Sequence, residues 1–294
     1  MSSPVPLVEN APAKVNLTLR VLGRRSDGYH EIESLVAFAD FGDKLSFSPA
    51  GELSLTVRGP NAAQAGENAD NLVLKAAQAF AARVAGAGLG AFALDKRLPV
   101  AAGLGGGSAD AAAALRLLAR ANSLPVDDGR LHEAARATGA DVPVCLDPRP
   151  RLMRGIGEIL SQPLKLPALP AVLVNPGVAL PTKSVFAAWK HVASEALPLD
   201  VIAVAKIDNR EEYLQLLAAQ VNDLESAAIA VEPVIAEVLA ALRALPACRL
   251  ARMSGSGATC FAVFSSAAAA IEAAKPLSNK YPHWWVRASA LGGG

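Results

Sequence analysis

Residues 99–115 read "PVAAGLGGGSADAAAAL", with four glycines inside a five-residue window directly before a run of alanines. Gly103, Gly105, Gly106 and Gly107 carry no Cβ, so the backbone there can take positive φ and come close to another backbone or to a ligand. Residues 109–121 have high helix propensity. Ser108 is expected to cap that helix, and Asp110 to place a negative charge in its first turn. A glycine loop running into a helix start presents unpaired N–H groups and the positive end of the helix dipole, a setting that favours anions. The pattern is therefore expected to be a phosphate cradle; a tight strand-to-helix connection is the plainer alternative.

The known glycine fingerprints narrow its type. A Walker loop ends in Gly-Lys-Ser/Thr, and no lysine stands between Gly107 and Ser108. A dinucleotide fold needs G-x-G-x-x-G and an acidic residue about twenty positions on. Here the third glycine is missing, and Asp127 and Asp128 follow a whole helix beside Pro125.

The chain has 294 residues, room for two domains or one large one. Its 28 basic and 27 acidic residues nearly cancel and form no long basic run, which excludes the electrostatic footprint of a nucleic-acid binder. Aromatics make up 5%, so the core must be mainly aliphatic. Cys145, Cys248 and Cys260 are odd in number and widely spaced, which fits a reducing compartment rather than a disulfide framework. The opening "MSSPVPLVENAPAK" lacks the basic and apolar regions of a signal peptide. The longest apolar stretch, residues 164–180, is cut by prolines, Asn175 and Gly177, so no membrane span is expected. These features together predict a cytoplasmic location. "HEAAR" at His132 ends in Arg136 where a zinc helix needs histidine.

Periodicity predicts strands at 15–23, in "LSFS", in "LSLTVRG" and in "AFALDKRLP", the last feeding the glycine loop. An amphipathic helix is expected from Asn71 to Gly86, and two more after the loop, the second ending near Gly139. "LMRGIGEIL" predicts a hairpin and "AVLVNPG" a buried strand. Helices then dominate from Thr182 to about Leu245 with a break near Pro233, followed by strand, loop, strand, helix and strand. Two groups of strands separated by helices predict an α+β fold with two lobes, 1–160 and 161–294.

Phosphoryl transfer needs positioning, charge neutralisation and a group to take the acceptor's proton. Lys14 stands at the start of the first expected strand, with Asn16 two residues on and on the same face. Lys14 is either a solvated charge or a charge aimed at a site. Asp141, between Gly139 and Pro143, is either a helix cap or a base. Asp27-Gly28 predicts a turn that delivers Tyr29 and His30. "SGSGATCF", from Ser254, is a second glycine loop.

Taken in order, "PAKVNL", "PVAAGLGGGSADA", "GADVPV" and "MSGSGATCF" resemble the GHMP kinase superfamily over nearly the whole chain. Within it, "GRRSDGYHEIESL" and "PGVALPTKSVF" look like the branch whose acceptor is a cytidine-diphosphate-linked methylerythritol. The resemblance implies an enzyme of the non-mevalonate isoprenoid pathway that moves the γ-phosphoryl of ATP to the C2 hydroxyl of that small molecule. It implies an N-terminal lobe like ribosomal protein S5 domain 2 and a ferredoxin-like C-terminal lobe. Asp141 would be the base and Lys14 its electrostatic partner. Pro99, Val100, Ala101, Ala102, Gly103, Leu104, Gly105, Gly106, Gly107, Ser108 and Ala109 would hold the ATP phosphates, with Asn71 and Lys96 near the adenine. Tyr29 and Phe186 would stack on the cytosine, His30 would bond its edge, and Asn16 and Thr182 would line the acceptor site. Mg2+ is implied by the ATP chemistry; Ser108 matches a metal-binding serine of the superfamily, but no carboxylate is assigned. No nucleic acid or membrane partner is implied, and a homodimer is left open.

Overall fold

The structure, a computed structural model, describes residues 5–65, 70–190 and 198–292. The first residues of the opening stretch lie outside this range, as does His191 with the rest of 191–197 in the expected helical region. The order along the chain is β1 (Leu7–Asn16), β2 (Arg20–Arg24), β3 (His30–Pro49), β4 (Ser54–Arg58), α1 (Leu72–Ala81), β5 (Gly90–Asp95), α2 (Gly106–Ala121), α3 (Gly129–Thr138) and α4 (Val142–Leu146). It continues with β6 (Arg151–Gly155), β7 (Ile159–Leu160), β8 (Leu169–Asn175), α5 (Thr182–Ala188), α6 (Val201–Val204), α7 (Arg210–Ala218), α8 (Glu225–Val231) and α9 (Val234–Arg243). β9 (Cys248–Met253), β10 (Cys260–Phe264), α10 (Ala267–Lys280) and β11 (Trp285–Leu291) follow.

By contact the chain divides into two units, neither of them continuous. One holds Met1–Ala13, Phe41–Val100 and Gly105–Pro148; the other holds Lys14–Asp40, Ala101–Leu104 and Arg149–Gly294. A single boundary near residue 160 is the simpler expectation. β1 and β3 each contribute to both units, a kind of sharing that a linear pattern does not reveal.

In the first unit the distal half of β3 pairs antiparallel with β5 from Lys44–Asp95 to Pro49–Gly90, and β4 pairs parallel with β5. The parallel pair requires a crossover, and α1 supplies it. α1, α2, α3 and α4 pack on one another. Alanine makes this close packing work: Ala111, Ala112, Ala113 and Ala114 of α2 are all fully buried.

In the second unit β8 is buried along its whole length and is flanked by β10 and β11, both antiparallel to it. β9 extends the sheet beyond β10, and β11 touches β3 at Leu291–Ala39. β6 pairs with β3 on one edge and with β7 on the other, giving the expected hairpin. Val172, Val174, Ile235, Leu239, Cys260 and Phe264 belong to one apolar cluster over this sheet.

Two strand expectations change. Residues 15–23 do not form one strand, because Leu17 and Thr18 both donate to the Leu35 carbonyl and Leu19 donates to Val221, which ends β1 before β2 begins. "LSFS" is the tail of the 20-residue β3 rather than a separate strand.

Candidate active site

In the first unit the helix after the glycine loop starts earlier than expected. Gly105 is the residue before α2 and takes φ 59°, a left-handed turn that glycine permits without a Cβ penalty. Ser108 is therefore the third helical residue and not the cap. Asp110 lies beyond the first turn, which holds no acidic residue. The first helical bond runs from the Ala109 N–H to the Gly105 carbonyl at 2.8 Å, so the amides of Gly106, Gly107 and Ser108 precede the ladder. Ser108 is half-buried and Ala109 buried.

Beneath this helix start sits a buried ion cluster. The Lys96 ammonium lies 2.6 Å from an Asp43 carboxylate oxygen and 2.6 Å from one of Asp110. The other Asp43 oxygen accepts the Arg97 and Leu98 amides at 2.6 and 2.8 Å. Burial lifts the Asp110 carboxyl to about 7, against the pull of Lys96 and with a push from Asp43. Burial alone would depress Lys96, but the two carboxylates outweigh it and hold its pKa above the usual value. Asp43 and the role of Asp110 escape a sequence reading, because nothing in spacing links residues 43, 96 and 110.

Asn71, expected near the adenine, caps α1 by accepting the Val73 amide at 3.0 Å. Pro99 is buried and Val100 half-buried. Asp141 is the residue before α4, yet its carboxylate makes no capping bond to that helix, so a cap does not account for it.

In the second unit the middle of the loop is held through its carbonyls. Thr259 N–H donates to Ala102 at 3.1 Å, Ser254 Oγ to Gly103 at 2.9 Å and Lys14 N–H to Leu104 at 2.8 Å. Ala101, at the exposed tip, takes φ 51°, where a non-glycine residue is strained. Gly103 has φ 73°, and a Cβ there would collide with the Ser254 carbonyl and lie 2.7 Å from that of Gly257. Ser254 Oγ also accepts the Asn16 amide at 3.0 Å, so one hydroxyl ties β1 to the glycine loop. Asn222 holds the second loop in turn, donating to the Met253 and Gly255 carbonyls at 2.8 Å each. The "SGSG" pattern marks this loop in the sequence, but its task of gripping the first loop is visible only in three dimensions.

Lys14 and Asn16 are buried, and Asn16 Nδ2 donates to Ser34 Oγ at 2.7 Å. Thr182 opens α5 and shares a 2.9 Å hydrogen bond with Ser256 of the second loop. Tyr29 leaves an Asp27-Gly28 turn and is 60% exposed. His30 opens β3 opposite Arg24. Its ring stacks on Phe186 at 4.6 Å and 22°, and Trp189 meets it edge-on at 5.7 Å. Burial, then the Arg24 charge, lowers the His30 pKa, so the imidazole is neutral at pH 7. A neutral imidazole offers one donor and one acceptor.

A resident metal finds little support among these groups. Among the described residues no cluster of three or more His, Cys, Asp or Glu side chains is placed to hold a metal. Asp110 is the one carboxylate on α2, and it faces Lys96. Among the described residues no helix is long and apolar enough to cross a membrane.

Comparison with known proteins gives the family. The family model for the GHMP kinases N terminal domain matches residues 71–147, and that for the GHMP kinases C terminal matches residues 202–283. A 4-diphosphocytidyl-2-C-methyl-D-erythritol kinase of Rhodopseudomonas palustris (strain BisB18) is 57% identical over 293 residues, spanning 97% of this chain and 95% of that protein. A crystal structure of 4-(cytidine 5'-diphospho)-2C-methyl-D-erythritol kinase superposes with TM-score 0.79 at 37% identity, covering 98% of this chain and 100% of that one. A homoserine kinase from Cytophaga hutchinsonii shares the fold, with TM-score 0.72 at 19% identity over 98% of this chain and 96% of that one. The chain belongs to the 4-diphosphocytidyl-2-C-methyl-D-erythritol kinase branch of the GHMP kinases.

Proposed function

We propose that this chain transfers the γ-phosphoryl group of ATP to the C2 hydroxyl of 4-diphosphocytidyl-2-C-methyl-D-erythritol, giving the 2-phosphate and ADP. The observation that carries this is the 57% identity, along 97% of the chain, to a kinase named for that acceptor. The site residues supply a matching chemistry. The free amides at the start of α2 and the positive end of its dipole suit the ATP phosphates. Asp141 takes the proton of the attacking hydroxyl, and the Lys14 ammonium stabilises the carboxylate and the charge that develops on the transferred group. Mg2+ arrives with the nucleotide as MgATP.

The acceptor is read by the aromatic group of Tyr29, His30 and Phe186. Cytosine needs a flat surface to stack on and an edge that both donates and accepts, and neutral His30 offers both kinds of bond. Mevalonate and homoserine have no base to fill such a place, and the likeness to homoserine kinase is one of fold. The test is turnover on a panel with MgATP. The cytidyl substrate should be phosphorylated, and mevalonate, phosphomevalonate and homoserine should not. Turnover of any of those three with none of the first overturns the assignment.

A further inference from the structure

We infer that Asp43, Lys96 and Asp110 are positioning residues of the phosphate loop, an ion bridge that fixes its two ends at one spacing so that the first amides of α2 are preset for the nucleotide. The inference rests on the proposal that this loop binds ATP. The bridge reaches both sides of the loop within the first unit. On the entry side, one Asp43 oxygen holds the amides of residues 97 and 98. On the exit side, Asp110 stands on α2 one turn past the loop. Lys96 joins them through two contacts of 2.6 Å. The helix start rests on this lysine: a Cβ on Gly106 would sit 3.3 Å from the ammonium and 3.5 Å from the Leu98 side chain. Gly106 thus lies directly over the bridge.

Stability alone does not explain the cluster. Buried ion pairs are commonly no more stable than apolar groups of the same volume. This one places two carboxylates on one ammonium, and the second oxygen of Asp110 is buried without a hydrogen-bond partner. A costly, strongly directional arrangement at the base of a ligand loop is suited to holding geometry. Lys96 on this account acts on the nucleotide through the loop.

The test is Asp110→Ala, which cuts the exit link and leaves Lys96 and Asp43 as a balanced pair. ATP and CDP binding are measured by calorimetry on the intact protein, with the melting temperature on the same preparation. ATP affinity should fall about tenfold, the scale of one charge-assisted hydrogen bond. CDP affinity should stay within twofold. Asp110→Asn, which keeps the shape and an acceptor for Lys96, should recover most of the loss. If the alanine variant does not fold, Asp110→Leu fills the space and is read in the same way. A folded variant with wild-type ATP affinity overturns the inference, as does a parallel loss of ATP and CDP affinity. Wild-type protein that binds CDP but not ATP overturns the phosphate-loop proposal itself, and the bridge with it.

Discussion

The glycine loop is anchored in two different ways along its length. Its ends, in the first unit, are held by charge, with Lys96 between Asp43 and Asp110. Its middle, in the second unit, is held by neutral hydrogen bonds to three successive carbonyls and by the missing side chain of Gly103. The charged anchor holds two backbone amides on the entry side and one side chain on the exit side, which suits ends that must meet a strand and a helix. Carbonyl anchors fix the peptide planes, which suits the span that turns most sharply. Glycine serves both parts, but for separate reasons.

The largest expected effect comes from a residue outside both anchors and so provides their baseline. Asp141→Asn should cut kcat by about 10²- to 10⁴-fold, the usual contribution of a general base. Its ATP affinity should match the wild type, because both anchors are untouched, and α4 loses no capping bond. Near-normal kcat would remove Asp141 from the chemistry.

Breaking the neutral anchor comes next. Gly103→Ala places a Cβ against the Ser254 carbonyl at a positive φ, and should destabilise the protein by about 2–4 kcal/mol. Gly107→Ala is the control, since its Cβ would meet only the Leu72 side chain, at 3.3 Å. Urea denaturation of the two variants should differ clearly, and equal midpoints would mean that the close approach of the two loops is not what excludes a side chain at Gly103.

The smallest effect is a pH gradient confined to the ionic anchor. Burial raises the Asp110 carboxyl from 3.8 to about 7 in the folded chain. The native state therefore holds an extra proton between those values. The stability this contributes is full below about pH 4 and is lost as pH rises through about 7. Between pH 6 and 7 the loss is worth about 1 kcal/mol. Asp110→Asn should flatten that part of the stability curve, and an unchanged slope would show that Asp110 does not titrate there.

Local patterns carried much of the fold. β8 is legible because "AVLV" is a short apolar run closed by Asn-Pro-Gly, and the hairpin of β6 and β7 because Gly155 and Gly157 punctuate it. The two lobes were legible as two groups of strands. The 20-residue β3 was not: only its tail, "LSFS", was expected as a strand, and Asp40, Gly42 and Asp43 interrupt its apolar run. Gly42 is glycine because a Cβ would strike the Ala11 carbonyl, and Asp43 is buried with Lys96, so both are long-range facts in local disguise. In the candidate site, residue types were legible and partnerships were not. The four loop glycines read as one cradle, yet Gly103 faces the second loop, Gly105 turns the chain, Gly106 covers Lys96 and Gly107 meets Leu72. His30 and Phe186 could be named from the sequence, but their stacking on each other could not.

The threading of β3 through both units bears on how the protein reaches its native state. The second unit joins Asn16 to Ser254 across 238 positions, and Ala39 to Leu291 in a strand pair. Closing such long spans lowers equilibrium stability only slowly, as the logarithm of length, but it delays the productive encounter. On a ribosome, β3 would emerge well before the strand it meets at Ala39. Leu35 and Val36 could pair with β6 once the chain has passed α4, but Ala39 would wait in the nascent chain through the synthesis of α1 to α10 for its partner Leu291.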